Sequence, residues 1–241
     1  MGATRVRIVG PGRAGRSFAA AWSHAGLQVE LLDRTADVLS AAQDVDVVLI
    51  ATQDRAIADV AAQIHPGEAA VLHCSGATGL DVVRHHARHG SIHPLMALPT
   101  PDIGAVRLAD HGWFAVAGDP IVNELVDVLH GRSFQVSDDM RSLYHATAAV
   151  SANHLVALLG QVERLAELAG VPVQAFLDLA RGSFNDVVER GAVAALTGPA
   201  ARGDTATLDA HRASLPPDEV LLYDTLAAAA QQLAHPRSDP G

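Results

Sequence analysis

Val45-Asp46-Val47-Val48-Leu49-Ile50-Ala51 is a nearly continuous apolar run, the pattern of a strand buried on both faces of a parallel sheet. Shorter apolar runs at Arg5–Val9, Gln28–Leu32, Ala69–His73, Ser91-Ile92, Trp113–Ala117 and Phe134–Val136 read as further strands. Between them, helical spacing covers Ser17–His24, Ile57–Ile64, Leu80–Arg88 and Pro120–Leu129, with breaks at Gly26 and Pro66-Gly67. Strands alternating with helices through residue 136 predict an α/β fold with a doubly wound, mainly parallel sheet.

From Asp138 the pattern changes. Asp138-Asp139 supplies an N-terminal cap, and Met140 to Ala169 runs without Gly or Pro except Gly160, giving one long helix closed by Gly170 and Pro172. Further helices fit Val173–Arg190, about Gly203–Ala213, and Asp218–Leu233. The expected organisation is a nucleotide-binding domain at 1–137, an all-helical domain at 138–235 serving substrate binding and dimerisation, and a flexible tail at 236–241.

The glycine string after the first strand gives the first domain its purpose. Gly10-Pro11-Gly12-Arg13-Ala14-Gly15 follows a strand, opens a helix and meets Asp33 at the end of the next strand, a context more specific than the string alone. Gly10 permits the tight turn, Gly12 lets a pyrophosphate approach the backbone, and Gly15 brings the helix close to the strands. The helix N-terminal amides then face the phosphates. These features define a Rossmann dinucleotide site. Asp33 suits an adenosine ribose and hence NAD, whereas Arg34 and Thr35 suit the 2′-phosphate of NADP, unless Arg34 stacks on adenine instead. We favour NADP. Thr52, at the end of the third strand, joins the cofactor set, and Arg13 reaches toward a phosphate or toward solvent.

Composition narrows the partners. The 241 residues carry a formal net charge of -10, which argues against nucleic acid and anionic membranes and for a small-molecule substrate. No apolar stretch is long enough to span a bilayer and the N-terminus lacks a signal-peptide layout, so a cytoplasmic location is expected. Cys74 is the single cysteine, which excludes an intrachain disulfide. All 17 basic residues are arginine. Without lysine, Schiff-base chemistry and a lysine general acid are excluded. His85, His86 and His89 lack a carboxylate at ligand spacing and read as a solvated helix face, so no metal site is expected.

Several strings carry a family resemblance: His73-Cys74-Ser75-Gly76, Ser91-Ile92-His93-Pro94-Leu95, Tyr144-His145-Ala146, Asn153-His154-Leu155-Val156, Leu196-Thr197-Gly198-Pro199 and Arg202-Gly203-Asp204. Together they resemble Rossmann-like oxidoreductases whose C-terminal half is domain of unknown function 2520, within the superfamily of 6-phosphogluconate dehydrogenase. The resemblance implies a two-domain, dimeric, NAD(P)-dependent oxidoreductase. Larger relatives often place a catalytic lysine on the first long helix; here the nearest basic residue is Arg141, which anchors a carboxylate better than it donates a proton.

On the long helix Arg141, His145, Ala149 and Asn153 lie four apart and form one ridge. This ridge suggests Arg141 as the anchor for an acidic substrate, His145 as the proton donor, and Asn153 as the group orienting substrate or nicotinamide. His93, on the carboxyl edge of the sheet, is the rival proton donor. Ser75 and Gly76 either contact substrate or form a plain strand-ending turn. The loop holding Thr197-Gly198-Pro199 and Arg202-Gly203-Asp204 either reaches the site, from a second subunit, or only caps the next helix.

The expected reaction is hydride transfer between nicotinamide and a small carbonyl, imine or 2-oxo acid in the crevice between the domains. The alternatives are a noncatalytic NAD(P)-binding sensor and a deazaflavin-dependent relative.

Overall fold

All four residues of Val47–Ile50 are fully buried, and their side chains alternate between two separate cores. Val47 and Leu49 pack with Phe18, Trp22 and Leu108 on one face of a sheet; Val48 and Ile50 pack with Ile57, Ala61 and Val83 on the other. A strand with no polar face must be covered on both sides, and that requirement makes the fold a three-layer α/β arrangement.

The computed structural model describes residues 4–235. The sheet contains β1 (Arg5–Val9), β2 (Gln28–Leu32), β3 (Val47–Ile50), β4 (Ala70–His73), β5 (His89–Pro94), β6 (Trp113–Gly118) and β7 (Arg132–Gln135), in spatial order β2-β1-β3-β4-β5-β6-β7. The first five strands run parallel; β6 pairs antiparallel with β5, and β7 is parallel to β6. The mainly parallel, doubly wound sheet expected from the sequence is therefore present. Because β1 has β2 on one side and β3 on the other, the strand order reverses there and leaves a crevice at their carboxyl ends.

The helices around this sheet are α1 (Arg13–His24), α2 (Asp54–Gln63), α3 (Pro101–Leu108) and α4 (Ile121–Asp127). Trp22 of α1 is fully buried and its indole N–H donates to the Leu125 carbonyl at 3.1 Å, tying α1 to α4. Helix α3 is not among the helices that the apolar spacing predicts, although Thr100-Pro101-Asp102 announces it. Thr100 is the N-cap, its hydroxyl accepting from the Ile103 amide, and Pro101 occupies the first turn. Gly104 of α3 lets it lie against α1, since a Cβ there would fall 2.1 Å from the Ser17 hydroxyl.

Two expectations are corrected in this region. The helix expected over Leu80–Arg88 is only a 3₁₀ turn at Leu80–Val83. Consequently His85, His86 and His89 do not form a solvated helix face: His86 is buried, His85 and His86 both turn Nε2 to the Ala61 carbonyl, and His89 starts β5. Nor do Asp138-Asp139 cap a helix with their side chains. They form a 3₁₀ turn, and Asp138 instead accepts from the Leu80 amide at 3.0 Å and from Arg141 at 2.6 Å.

The chain divides into two compact units after Asn153. The first ends with α5 (Arg141–Ala149) and enters a π-helical turn at Val150–His154. The second is all-helical: α6 (Leu155–Ala169), α7 (Val173–Arg190), α8 (Ala192–Ala195), α9 (Pro199–Arg202), α10 (Thr205–Ser214) and α11 (Val220–Ala234). Gly170 closes α6 in the left-handed conformation, as its position suggested. Within this unit the Glu219 carboxylate accepts from both Arg164 and Gln161. No helix of the described residues is long and apolar enough to cross a membrane. The tail expected at 236–241 lies outside the described residues.

Candidate functional site

The loop after β1 builds the floor of a cleft. Gly10 adopts φ +116°, and a Cβ there would strike the Ala51 backbone at 2.7 Å, so only glycine makes this turn beside β3. Gly15 faces inward: its Cβ would sit 2.0 Å from the Gly10 carbonyl oxygen, which fixes how closely α1 approaches the loop. Gly12 differs from both. Nothing lies within 4 Å of its Cβ position, so its missing side chain leaves open space at the start of α1 rather than relieving a packed contact. Helix α1 has no side-chain cap and no acidic residue in its first turn, and its free amides make a ready anion site.

A cleft of about 860 Å³ opens above this loop. Its walls come from the carboxyl ends of five strands: the glycine loop after β1, Asp33 and Arg34 after β2, Ala51 to Gln53 after β3, Cys74 after β4, and His93 with Pro94 at the end of β5. Gly10, Pro11, Gly12, Arg13, Ala14, Asp33, Arg34 and Thr52 of the expected cofactor set line it. Gly15 and Thr35 do not: Gly15 acts through packing, and Thr35 donates its amide and hydroxyl to one Asp33 oxygen, both at 2.7 Å. Those two hydrogen bonds hold the Asp33 carboxyl below its ordinary range.

The two arginines bring positive charge to this cleft in a chain of net charge -10. With the open space at Gly12 and the uncapped α1, the residues present fit a dinucleotide, and its volume lies within the usual range for ligand sites.

At the other end of the cleft stands His93. Its ring rests on Gly76, where a Cβ would fall 2.8 to 3.0 Å from the imidazole atoms; Gly76 is buried and supports His93 instead of offering itself to a ligand. Nδ1 of His93 is 2.6 Å from the Tyr144 hydroxyl, and the His145 ring lies edge-on with centroids 6.3 Å apart. Burial, followed by the positive potential of His145, depresses the His93 pKa to about 4, so the imidazole is neutral at pH 7. Burial pushes the Tyr144 phenol up to about 12.

Behind this pair lies a fixed polar network. Arg141, expected to meet an acidic substrate, is instead 2% exposed, donating to Asp138 at 2.6 Å and to Ser91 at 2.8 Å. It anchors the base of α5. His73 is fully buried; its Nδ1 accepts from the Ser75 amide and its Nε2 has no partner among the described residues, while burial and nearby Arg141 lower its pKa to about 4. The Ser75 hydroxyl accepts from the Ala77 and Thr78 amides, so it forms the strand-ending turn that was the second option for it. Cys74 touches the cleft, but burial raises its thiol to about 12, which removes it as a nucleophile.

The structure brings His93 and His145 together. Asn153 is exposed within the π turn, where the extra residue breaks the four-residue spacing that aligned it with Arg141 and His145. Tyr144, of the Tyr144-His145-Ala146 string, is the added member. The signal was its place three residues after Arg141, on the same helix face. In the helical unit, Asp204 caps α10 by accepting from the amide and hydroxyl of Thr207, so the Arg-Gly-Asp string has the capping role considered for it. Among the described residues no group of histidine, cysteine or acidic side chains is arranged to hold a metal ion.

The sheet order and the cleft at the carboxyl ends of its strands define the class: a Rossmann-type nucleotide-binding fold followed by a helical part. Residues 115–230 match the family described as domain of unknown function (DUF2520), as the sequence strings anticipated. A Thermotoga maritima protein is similar in structure, with TM-score 0.71 and 23% identity, covering 95% of this chain and 98% of that one. A Bacteroides fragilis protein assigned as an NADP oxidoreductase gives TM-score 0.80 at 19% identity, with 95% and 98% covered. A reductive aminase from Aspergillus terreus, complexed with cyclohexanone and allyl amine, gives TM-score 0.68 at 20% identity, with 95% and 94% covered; the same enzyme is known with NADPH and ethyl levulinate. At these identities the likeness is one of fold. No curated protein matches the chain.

Proposed function

We propose that this protein is an NAD(P)-dependent oxidoreductase acting on a small carbonyl, imine or 2-oxo acid. The observation that carries the reading is one cleft with two chemically different ends: an anion-binding glycine loop flanked by Arg13 and Arg34, and a neutral histidine at the end of β5. The A. terreus reductive aminase and the B. fragilis NADP oxidoreductase, similar in fold over nearly the whole chain, support it.

The residues that would hold the cofactor are Gly10 to Ala14 with the α1 amides at the pyrophosphate, and Asp33 with Arg34 at the adenosine end. When bound, the nicotinamide supplies or accepts hydride. We favour NADP, because Thr35 already engages one Asp33 oxygen while Arg34 lines the cleft and is free to meet a 2′-phosphate. His93 is the chain's donor to the substrate heteroatom, and His145 lies beside it.

We also propose that the protein is a homodimer working in the cytoplasm. In the helical unit Phe184 and Val188, four apart on α7, are 61% and 69% exposed, and Leu221 on α11 is 78% exposed. Apolar side chains of that size on adjacent turns suit a second copy of the chain.

Calorimetric titration of the purified protein with NADPH and NADH tests the reading. Saturable binding with NADPH tighter is expected, and absence of saturable binding to both would sink it. A noncatalytic sensor is the outcome if either binds yet a carbonyl and imine panel shows no turnover.

A further inference from the structure

Ser91 and His93 are two apart on β5 and so leave the same face of the strand. Arg141 and Tyr144 are three apart on α5 and share one helix face. The two pairs meet in register, with Arg141 donating to Ser91 at 2.8 Å and the Tyr144 hydroxyl 2.6 Å from His93 Nδ1. The lower contact is locked further by Asp138, which holds Arg141 and the Leu80 amide at once. Phe134 packs edge-on against the Tyr144 ring, with centroids 5.9 Å apart, and Gly76 fills the space behind His93. Each ring thus has a second packing neighbour beside the hydrogen bond between them.

We propose that Tyr144 is a positioning residue whose hydroxyl donates to His93 Nδ1, fixing the neutral Nε2–H tautomer, so that His93 offers that N–H to the oxygen of a carbonyl substrate. The inference rests on the oxidoreductase reading above. The Tyr144 hydroxyl has no hydrogen-bond partner among the described residues except His93. If Nδ1 carried the proton and donated to the phenol oxygen, no group among the described residues would accept the phenolic hydrogen, and a protein hydrogen bond would be lost. With Nδ1 as acceptor both groups are satisfied, and Nε2, which has no partner among the described residues, is the donor left at the cleft.

A neutral pair suits an oxygen that gains negative charge. Burial first, then the positive potential of His145 and Arg141 opposed by Asp54, keeps His93 unprotonated. As the carbonyl carbon gains hydride, the His93 Nε2–H bond breaks and the substrate O–H bond forms. Nδ1 takes the Tyr144 proton in turn; water entering the cleft then reprotonates Nε2, leaving hydroxide, and the Nδ1 proton returns to the phenolate. Alcohol oxidation follows the reverse order. A neutral N–H donor has no matching use for a nitrogen that is already cationic, so the site selects a carbonyl or alcohol over an iminium ion.

The test is nitrogen NMR of the full-length protein labelled with ¹⁵N-histidine, with His93 assigned by its loss in His93→Asn. At pH 7 the expected result is an unprotonated Nδ1 and a protonated Nε2. In Tyr144→Phe the two nitrogen shifts should move toward averaged values and the protonation midpoint of His93 should rise. A wild-type ring protonated at Nδ1, or a tautomer unchanged in Tyr144→Phe, overturns the inference. The wild-type spectrum decides alone if the variant does not fold. Titrating NADP⁺ into the same sample tests the reading beneath it, because failure to bind would leave the tautomer result standing.

Discussion

Arg141 donates to the Ser91 hydroxyl at 2.8 Å, and through that contact the first turn of α5 is fastened to β5 two residues before His93. The same guanidinium donates to Asp138, so one buried side chain joins a strand, a helix and the 3₁₀ turn before it. Placement of Tyr144 on His93 depends on this fastening.

Replacing Arg141 with Met should therefore destabilise the protein by about 2 kcal/mol, less than for a wholly buried pair because Asp138 is half exposed. Arg141→Lys should recover little of it, since one ammonium cannot reproduce the planar fork that meets Asp138 and Ser91 together. Urea denaturation of the three proteins measures both effects, and full recovery in the lysine variant would contradict this account.

The glycine loop separates packing from binding. Gly15→Ala places a Cβ 2.0 Å from the Gly10 carbonyl oxygen and should cost about 3 kcal/mol in stability. Gly12→Ala meets no protein atom within 4 Å. It should keep its melting temperature within a few degrees while weakening NADPH binding roughly tenfold or more, about 1.4 kcal/mol. Equal thermal destabilisation of the two variants would refute the distinction.

At the adenosine end, Arg34→Ala should weaken NADPH by roughly ten- to a hundredfold, the worth of a charge-assisted hydrogen bond, and leave NADH nearly unchanged. Fluorescence titration with both cofactors reads the ratio. Parallel losses for the two would mean that Arg34 stacks on adenine instead.

The buried His73 imposes a pH dependence. Its folded pKa of about 4 lies below the ordinary 6.5, so the unfolded chain binds more protons between those values. Stability should be fullest above pH 6.5, fall as the pH drops, and level off near pH 4, with about 3 kcal/mol lost through this residue. His73→Asn keeps an acceptor for the Ser75 amide and should flatten the profile by about 2 kcal/mol between pH 6.5 and 5. Chemical denaturation at those pH values decides it.

For the helical unit, Phe184→Asp should shift the protein from dimer to monomer in light scattering without loss of helical circular dichroism, because the side chain is 61% exposed within its own chain. Retention of a dimer would place the interface elsewhere.

Much of the fold was legible in the chain itself. Val47–Ile50 could only be a strand covered on both sides, and the spacing of Gly10, Gly12 and Gly15 set the turn, the open approach and the close helix contact, because each is a local backbone or periodicity constraint. Thr100-Pro101 also carries the start signal of its helix in the local sequence. What the sequence could not determine is which partner each polar group meets across the fold. Arg141 and Ser91 are 50 residues apart and His93 and Tyr144 are 51, and nothing local in either segment announces the other. Only packing β5 beneath α5 turned Arg141 from a supposed substrate anchor into a buried brace. The same packing shielded His93 enough to keep it neutral, because desolvation and neighbouring charge come from the tertiary surroundings of a residue and not from its position in the chain.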